Sequence, residues 1–252
     1  MSDVAVLPGA EPFSAPGGPH GALVLHGFTG SPQSMRGVAQ ALADAGFAVE
    51  LPRLPGHGTS VEDMMTTSWA DWSSAAEAAY EKLAANCDRL VVVGLSMGGT
   101  LTAWLATRHP EIAGIVVING FIEPAAPALQ QILDMMVAQG VTEVPGIGSD
   151  IALPGAVEVS YGRTPISCTI SLMSEMARLK DELAAITSPV LIFNSPQDHV
   201  VAPVSSDTLA AGVSGPVERV TLERSYHVAT LDYDRELIEQ ETVAFARRVT
   251  GG

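Results

Sequence analysis

A chain of 252 residues, 47% hydrophobic and 16% charged, can bury a full core; this excludes a disordered chain and suits one sizeable domain, with or without a small insert. A formal net charge of −15 argues against nucleic acid or anionic membrane as a partner, because both select for basic patches. The two cysteines, Cys87 and Cys168, form no CxxC pair and no HExxH occurs, so two reduced thiols and no metal are expected.

Met1–His20 is rich in Pro, Gly and Ala and has neither a basic n-region nor an apolar h-region, so no signal peptide is expected. No uninterrupted apolar stretch of about 20 residues follows, so no membrane insertion is expected and the cytoplasm is the expected location. The first strand-like run is Ala22–Leu25. A helical pattern, Ser34–Ala45, ends at Gly46, a C-terminal cap glycine, and the run Phe47–Leu51 comes next. Ser68–Ala84 is helical, Leu90–Val93 strand-like, Met97–Arg108 helical up to Pro110, and Gly114–Ile118 strand-like. After a long interruption come Val190–Phe193, the helix Ser205–Ala211, the run Val217–Leu222 and the helix Asp234–Val249. The short, β-branched runs read as strands buried on both faces, and the alternation predicts an α/β fold with a mostly parallel central sheet and helices on both sides.

The interruption, Gly120–Met173, holds no convincing core strand. It contains an amphipathic helix with Leu129, Ile132, Leu133 and Met136 on one face, then a turn-rich stretch, Val141–Gly155. It is too long for an ordinary connection, so it is expected to be an inserted cap over the carboxyl ends of the strands, with Met135, Met136, Met173 and Met176 as an adaptable apolar wall. A plain helical excursion packed on the sheet is the alternative. The expected division is 1–119 for the first part of the core, 120–173 for the cap and 174–252 for the rest.

Gly94-Leu95-Ser96-Met97-Gly98 matches G-x-S-x-G between a strand and a helix. The pattern has a steric reason: a serine on a tight strand-to-helix turn needs small residues two before and two after it. A serine hydroxyl needs a base. His20 lies in the N-terminal stretch, His57 in the turn Pro55–Gly58, His109 after a helix end and His199 beside an acid candidate; His26 directly follows the first core strand. His227, past the last strand and ahead of the C-terminal helix, is the expected base. The acid should follow a late strand. Asp198, after Val190–Phe193, is favoured over Glu123, after Gly114–Ile118, while Asp207, Asp232 and Asp234 look like helix-start or surface charges. An oxyanion hole is expected from the backbone N–H of Met97 and of Phe28 in His26-Gly27-Phe28-Thr29-Gly30.

These segments, with Leu51–Gly58, Gln197–Val201 and Ser225–Asp232, resemble those of bacterial monoacylglycerol lipases and the related thermostable carboxylesterases, members of the α/β-hydrolase superfamily. The resemblance runs from about Ala22 to the C-terminus. It implies an α/β-hydrolase fold with a small cap that shapes an apolar acyl tunnel. It also implies a cofactor-free serine carboxylic-ester hydrolase working through an acyl-enzyme on monoacylglycerols or similar small esters, touching lipid aggregates only transiently, through the cap. By local pattern it puts Glu158 at the position that holds the glycerol end and Ile147 on the tunnel wall; the alternative for Glu158 is a solvated surface carboxylate. The more apolar Ala152–Ala156 departs from the family pattern at the alcohol end. The rivals are a general carboxylesterase for short to medium acyl esters, an acyltransferase, a cofactor-free haloperoxidase, and a ligand receptor of the same fold.

Overall fold

The computed structural model describes residues 4–124, 126–146 and 148–251. Seven strands form the main sheet: β1 (Phe13–Ala15), β2 (His20–Leu25), β3 (Ala48–Leu51), β4 (Arg89–Leu95), β5 (Gly114–Ile118), β8 (Val190–Asn194) and β9 (Val217–Thr221). Their order is β1-β3-β2-β4-β5-β8-β9. All neighbours pair in parallel except β1 and β3.

The strand period of two divides the core. Leu23, Leu25, Leu90 and Val92 face one layer; Ala22, Val24, Val91 and Val93 face the other. The first layer holds α3 (Trp69–Ala84), α4 (Met97–Ala106) and α6 (Ile166–Glu182), which contribute Trp72, Tyr80, Leu101, Leu172 and Leu179. The second holds α1 (Arg36–Asp44) and α8 (Arg235–Thr250), through Val38, Leu42, Ile238 and Phe245. A short helix, α2 (Val61–Met64), precedes α3, and α7 (Val204–Gly212) joins β8 to β9. The expectation of strands buried on both faces holds for β4 and β5 and fails for β9, whose residues are exposed or half-buried. As the last strand of the sheet, β9 has one neighbour, and its outer edge meets water.

The interruption carries α5 (Pro127–Ala138) and a separate antiparallel pair, β6 (Glu143–Pro145) with β7 (Arg163–Pro165), before α6 begins. The expected division at 173 thus falls inside a helix. The apolar stripe of α5 is buried less than its periodicity predicts: Leu133 packs on Ile166 and Met173, while Leu129 and Ile132 are 42% and 48% exposed. No described helix is long and apolar enough to cross a membrane.

Candidate active site

Ser96 sits between β4 and α4 with φ 54° and ψ −118°, one of three non-glycine residues with positive φ among those described. Such a conformation costs about 1–3 kcal/mol and persists only where its surroundings over-determine it. Here they do. Ser96 N–H donates to Ile118 O at 3.0 Å, Phe121 N–H to Ser96 O at 3.3 Å, and the strand and helix meet closely. A Cβ at Gly94 would strike the Gly98 carbonyl, and one at Gly98 would strike that of Leu25. The two glycines of the motif are therefore required by contact, and the serine is turned outward from the sheet at 9% exposure.

The loops after β8 and β9 bring in the acid and the base. His227 Nδ1–H donates to Asp198 Oδ2 at 2.8 Å, with both side chains almost wholly buried. The other carboxylate oxygen, Oδ1, accepts from the N–H groups of Val200 and Val201 at 2.8 and 2.7 Å, so a turn of its own loop aims Asp198 at the ring. That bond fixes the imidazole proton on Nδ1 and leaves Nε2 free to take a proton. Among the described residues Ser96 Oγ has no hydrogen bond to Nε2; contacts of this kind commonly tighten only around substrate.

Glu123, the rival acid, lies elsewhere. It pairs with Lys180 at 2.9 Å and accepts from the Thr208 hydroxyl, and these two hold its carboxyl below the usual range. The reading of Asp232 as a helix-start or surface charge is overturned, whereas Asp234 is the helix-start residue expected, at the N-cap of α8. Asp232 is fully buried and accepts four backbone N–H groups, from Ala152, Leu153, Tyr226 and Tyr233. Asp234, 6% exposed, binds Arg224 and the Ser225 hydroxyl. Carboxylates this buried need several donors, and nothing in local sequence reveals that two of those on Asp232, from Ala152 and Leu153, will come from about 80 positions away. Asp207 is the surface charge expected, paired with Arg219.

The His26–Gly30 loop runs against the nucleophile: a Cβ on Gly27 would lie 3.4 Å from Ser96 Cβ. Among the described residues the N–H groups of Phe28 and Met97 have no hydrogen-bond partner, as two donors reserved for a developing oxyanion require. Two buried histidines support this loop. His26 Nδ1–H donates to Gly27 O at 3.0 Å and Nε2 accepts from Leu54 N–H at 3.1 Å. His57 Nδ1–H donates to Pro55 O at 3.0 Å, and its ring packs edge-on against His26, Phe28 and Trp72.

Burial pushes the pKa of His26 down from 6.5 to about 3 and that of His57 to about 4, and mutual repulsion adds to the fall at His26. Both are neutral in the fold, while the unfolded chain takes up these protons near 6.5. The stability they contribute is therefore complete above pH 6.5 and is lost as the pH falls toward 4 and 3, by at most about 1.4 kcal/mol per pH unit for each ring. Urea denaturation at pH 6.5 and pH 5 should show this loss, and His57→Gln should reduce the slope by about one ring's share. An unchanged slope would assign the acid sensitivity to other groups.

A cavity of about 180 Å³ opens over Ser96 and His227. Its lining is largely apolar, with Phe28, Leu129, Leu172, Met173 and Val201, and includes the carboxylate residue Glu158. Glu158 is a half-buried cavity residue rather than a solvated surface carboxylate. Burial raises its pKa, opposed by the nearby His227 and by bonds to Ser34 and Ser160. A Cβ on Gly30 would come within 2.7 Å of its Oε1, so the glycine makes room for it. Ile147, the expected tunnel-wall residue, lies outside the described residues.

Two residues that support the site were given no role by sequence reasoning. Asn119, at φ 44°, donates from Nδ2 to His227 O at 2.8 Å and to Ser195 Oγ at 3.0 Å, and its Oδ1 accepts from Ser195 N–H at 2.8 Å. The pair Asn119-Gly120 after a strand is a turn signal, but the signal says nothing of what the amide will hold. Tyr161 anchors the interruption to the His57 turn, donating from its hydroxyl to Gly56 O at 2.7 Å and accepting from Thr59 N–H at 2.9 Å.

Residues 23–140 match the family model for the alpha/beta hydrolase fold. The chain is 45% identical to a thermostable monoacylglycerol lipase of Bacillus sp. (strain H-257), over 98% of each chain. It is 26% identical to a carboxylesterase of Bacillus subtilis (strain 168), over 95% of this chain and 97% of that one. Among solved structures, a metagenome-derived lipolytic enzyme superposes with a TM-score of 0.92 at 43% identity, covering 97% of this chain and all of the other. The monoacylglycerol lipase of Paleococcus ferrophilus shares the fold at a TM-score of 0.77 and 19% identity, over 95% and 99% of the two chains. Sequence, sheet order and elbow thus agree, and the chain belongs to the alpha/beta hydrolase family that includes the thermostable monoacylglycerol lipase of Bacillus.

Proposed function

We propose that this protein is a serine carboxylic-ester hydrolase that acts on esters of one fatty acyl chain, monoacylglycerols foremost, through an acyl-enzyme. The observation that carries the proposal is the Asp198–His227 pair, with His227 lining the same apolar cavity as Ser96 on its strained turn. In this reading His227 Nε2 takes the Ser96 proton as Oγ attacks the ester carbonyl. The N–H groups of Phe28 and Met97 receive the oxyanion, His227 returns the proton to the leaving alcohol, and water repeats the cycle on the acyl-enzyme. Asp198 stabilises the imidazolium in both halves.

The wall of Leu129, Leu172, Met173 and Val201 suits one acyl chain, and Glu158 suits the hydroxyls of a small alcohol. Each methylene buried gains about 0.8 kcal/mol until the cavity is full. Hydrolysis rates across p-nitrophenyl esters and 1-monoacylglycerols of graded length should therefore rise to a medium-chain maximum and fall beyond it, with triacylglycerols cleaved poorly. Glu158→Ala should cut kcat/KM on a monoacylglycerol by about 10-fold or more, as expected for a lost hydrogen bond to a charged group, and should spare the p-nitrophenyl ester of the same acid. A flat length profile would remove the case for the acyl cavity, and equal losses on both substrates the case for Glu158.

A further inference from the structure

Asp150 belongs to the interruption, two residues past a glycine with φ 74°, and its side chain is 13% exposed. Its carboxylate reaches both loops that carry the acid and the base. Oδ2 accepts from His199 N–H and from His227 N–H, each at 3.1 Å, and Oδ1 accepts from His199 Nδ1–H at 2.8 Å. Its carbonyl oxygen accepts from Val228 N–H at 3.0 Å. One residue thus bonds the amide directly after Asp198, the amide of His227 and the amide after that. Ala152 and Leu153 extend the seam by donating to Asp232 at 2.7 and 2.9 Å.

Asn119 joins the same two loops at the end of β5, through Ser195 and His227 O. The acid and base loops leave adjacent parallel strands and need such cross-links to keep a 2.8 Å bond between their side chains. Asn119 supplies one from the sheet, and Asp150 supplies the other from the interruption. Asp150 is not among the residues lining the cavity.

We infer that Asp150 is a positioning residue: it fixes the backbone of the Asp198 and His227 loops and so couples the inserted segment to the alignment of the acid–base pair. The inference rests on the proposed roles of Asp198 and His227. It implies that the stretch from Asp150 to Leu153 is a fixed strut of the active site, since moving it would break bonds to His227 and Val228.

The test compares Asp150→Ala, Asp150→Asn and His199→Ala, with kcat normalised by phosphonate titration of reactive serine and the His227 Nδ1 proton followed by NMR. Asp150→Ala should lower kcat by roughly 10- to 100-fold, the scale of a misalignment near 1 Å, with KM for a soluble ester little changed. The downfield proton signal of the Asp198–His227 bond should broaden or vanish. Asp150→Asn keeps an oxygen for the two backbone amides and should restore kcat to within about threefold of the parent. His199→Ala removes only the ring donor and should also stay within about threefold. Should the alanine variant not fold, Asp150→Leu, which preserves volume without acceptors, carries the same expectation.

A retained proton signal with normal kcat in the alanine variant would overturn the inference. So would a loss confined to KM, a failure of asparagine to rescue, or His199→Ala as damaging as Asp150→Ala. If neither acceptor-free variant folds, Asp150 serves the fold and the inference fails. Failure of the underlying reading looks different: the parent itself would show no downfield signal from His227.

Discussion

Ser96→Ala should leave a folded protein whose kcat/KM on a p-nitrophenyl ester is reduced by about 10⁴- to 10⁶-fold, the scale seen when a nucleophile is removed from a triad. That range corresponds to about 5–8 kcal/mol of transition-state stabilisation. The residual rate would come from the cavity and from the N–H groups of Phe28 and Met97, which the substitution does not touch. Folding should be little affected, and a modest gain in stability is reasonable. Alanine has the same unfavourable φ of 54° to adopt, but the serine oxygen has no hydrogen bond to lose among the described residues. Two measurements check this: the rate on an ester resolved against buffer hydrolysis, and labelling by a fluorophosphonate, expected on Ser96 alone. Near-normal turnover in the alanine variant, or a label elsewhere, would end the proposed mechanism.

Asp198→Asn should lower kcat by about 10⁴-fold, with the backbone little changed. The reason is the proton on His227. The carboxylate accepts from Nδ1–H at 2.8 Å, so the ring presents a bare Nε2 toward the cavity. An amide can instead donate its own N–H to Nδ1, which moves the ring proton to Nε2 and leaves no base. The asparagine oxygen would still accept from Val200 and Val201, so the loop should keep its shape. Glu123→Gln is the comparison. Its partners are Lys180 and Thr208, away from the imidazole, so kcat should stay within about threefold, with a small loss of stability typical of a surface ion pair. A deeper fall in kcat for Glu123→Gln than for Asp198→Asn would reverse the assignment of the acid.

The two substitutions also mark where sequence reading is strong. Ser96 was legible because its geometry is local: a buried strand, a helix and two glycines at fixed spacing compel one tight turn, and all of them lie within a few positions. The inner strands were legible for the same reason, since β-branched runs bounded by turn residues leave few other structures. Asp198 and His227 were legible by chain order, given a parallel sheet whose late loops end near the elbow.

The chain by itself determined the α/β alternation, the elbow and the candidates for nucleophile, acid and base, because each follows from short-range sterics or from the order of strands. The tertiary structure alone decided three other matters. It left β9 half exposed, because which strand ends a sheet depends on the pairing of the whole. It exposed Leu129 and Ile132 on a helix whose periodicity called for burial, because α5 turns Leu133 and Met136 onto the Ile166–Met173 cluster and leaves the other two largely exposed. It turned Asp150 and Asp232 from polar residues of loops into acceptors, one half-buried and one buried, that join the inserted segment to the His227 loop across separations of about 80 positions. A carboxylate reads the same in sequence whether water or four amides will satisfy it. Only packing brings the amides, and only their number makes burial of the charge affordable.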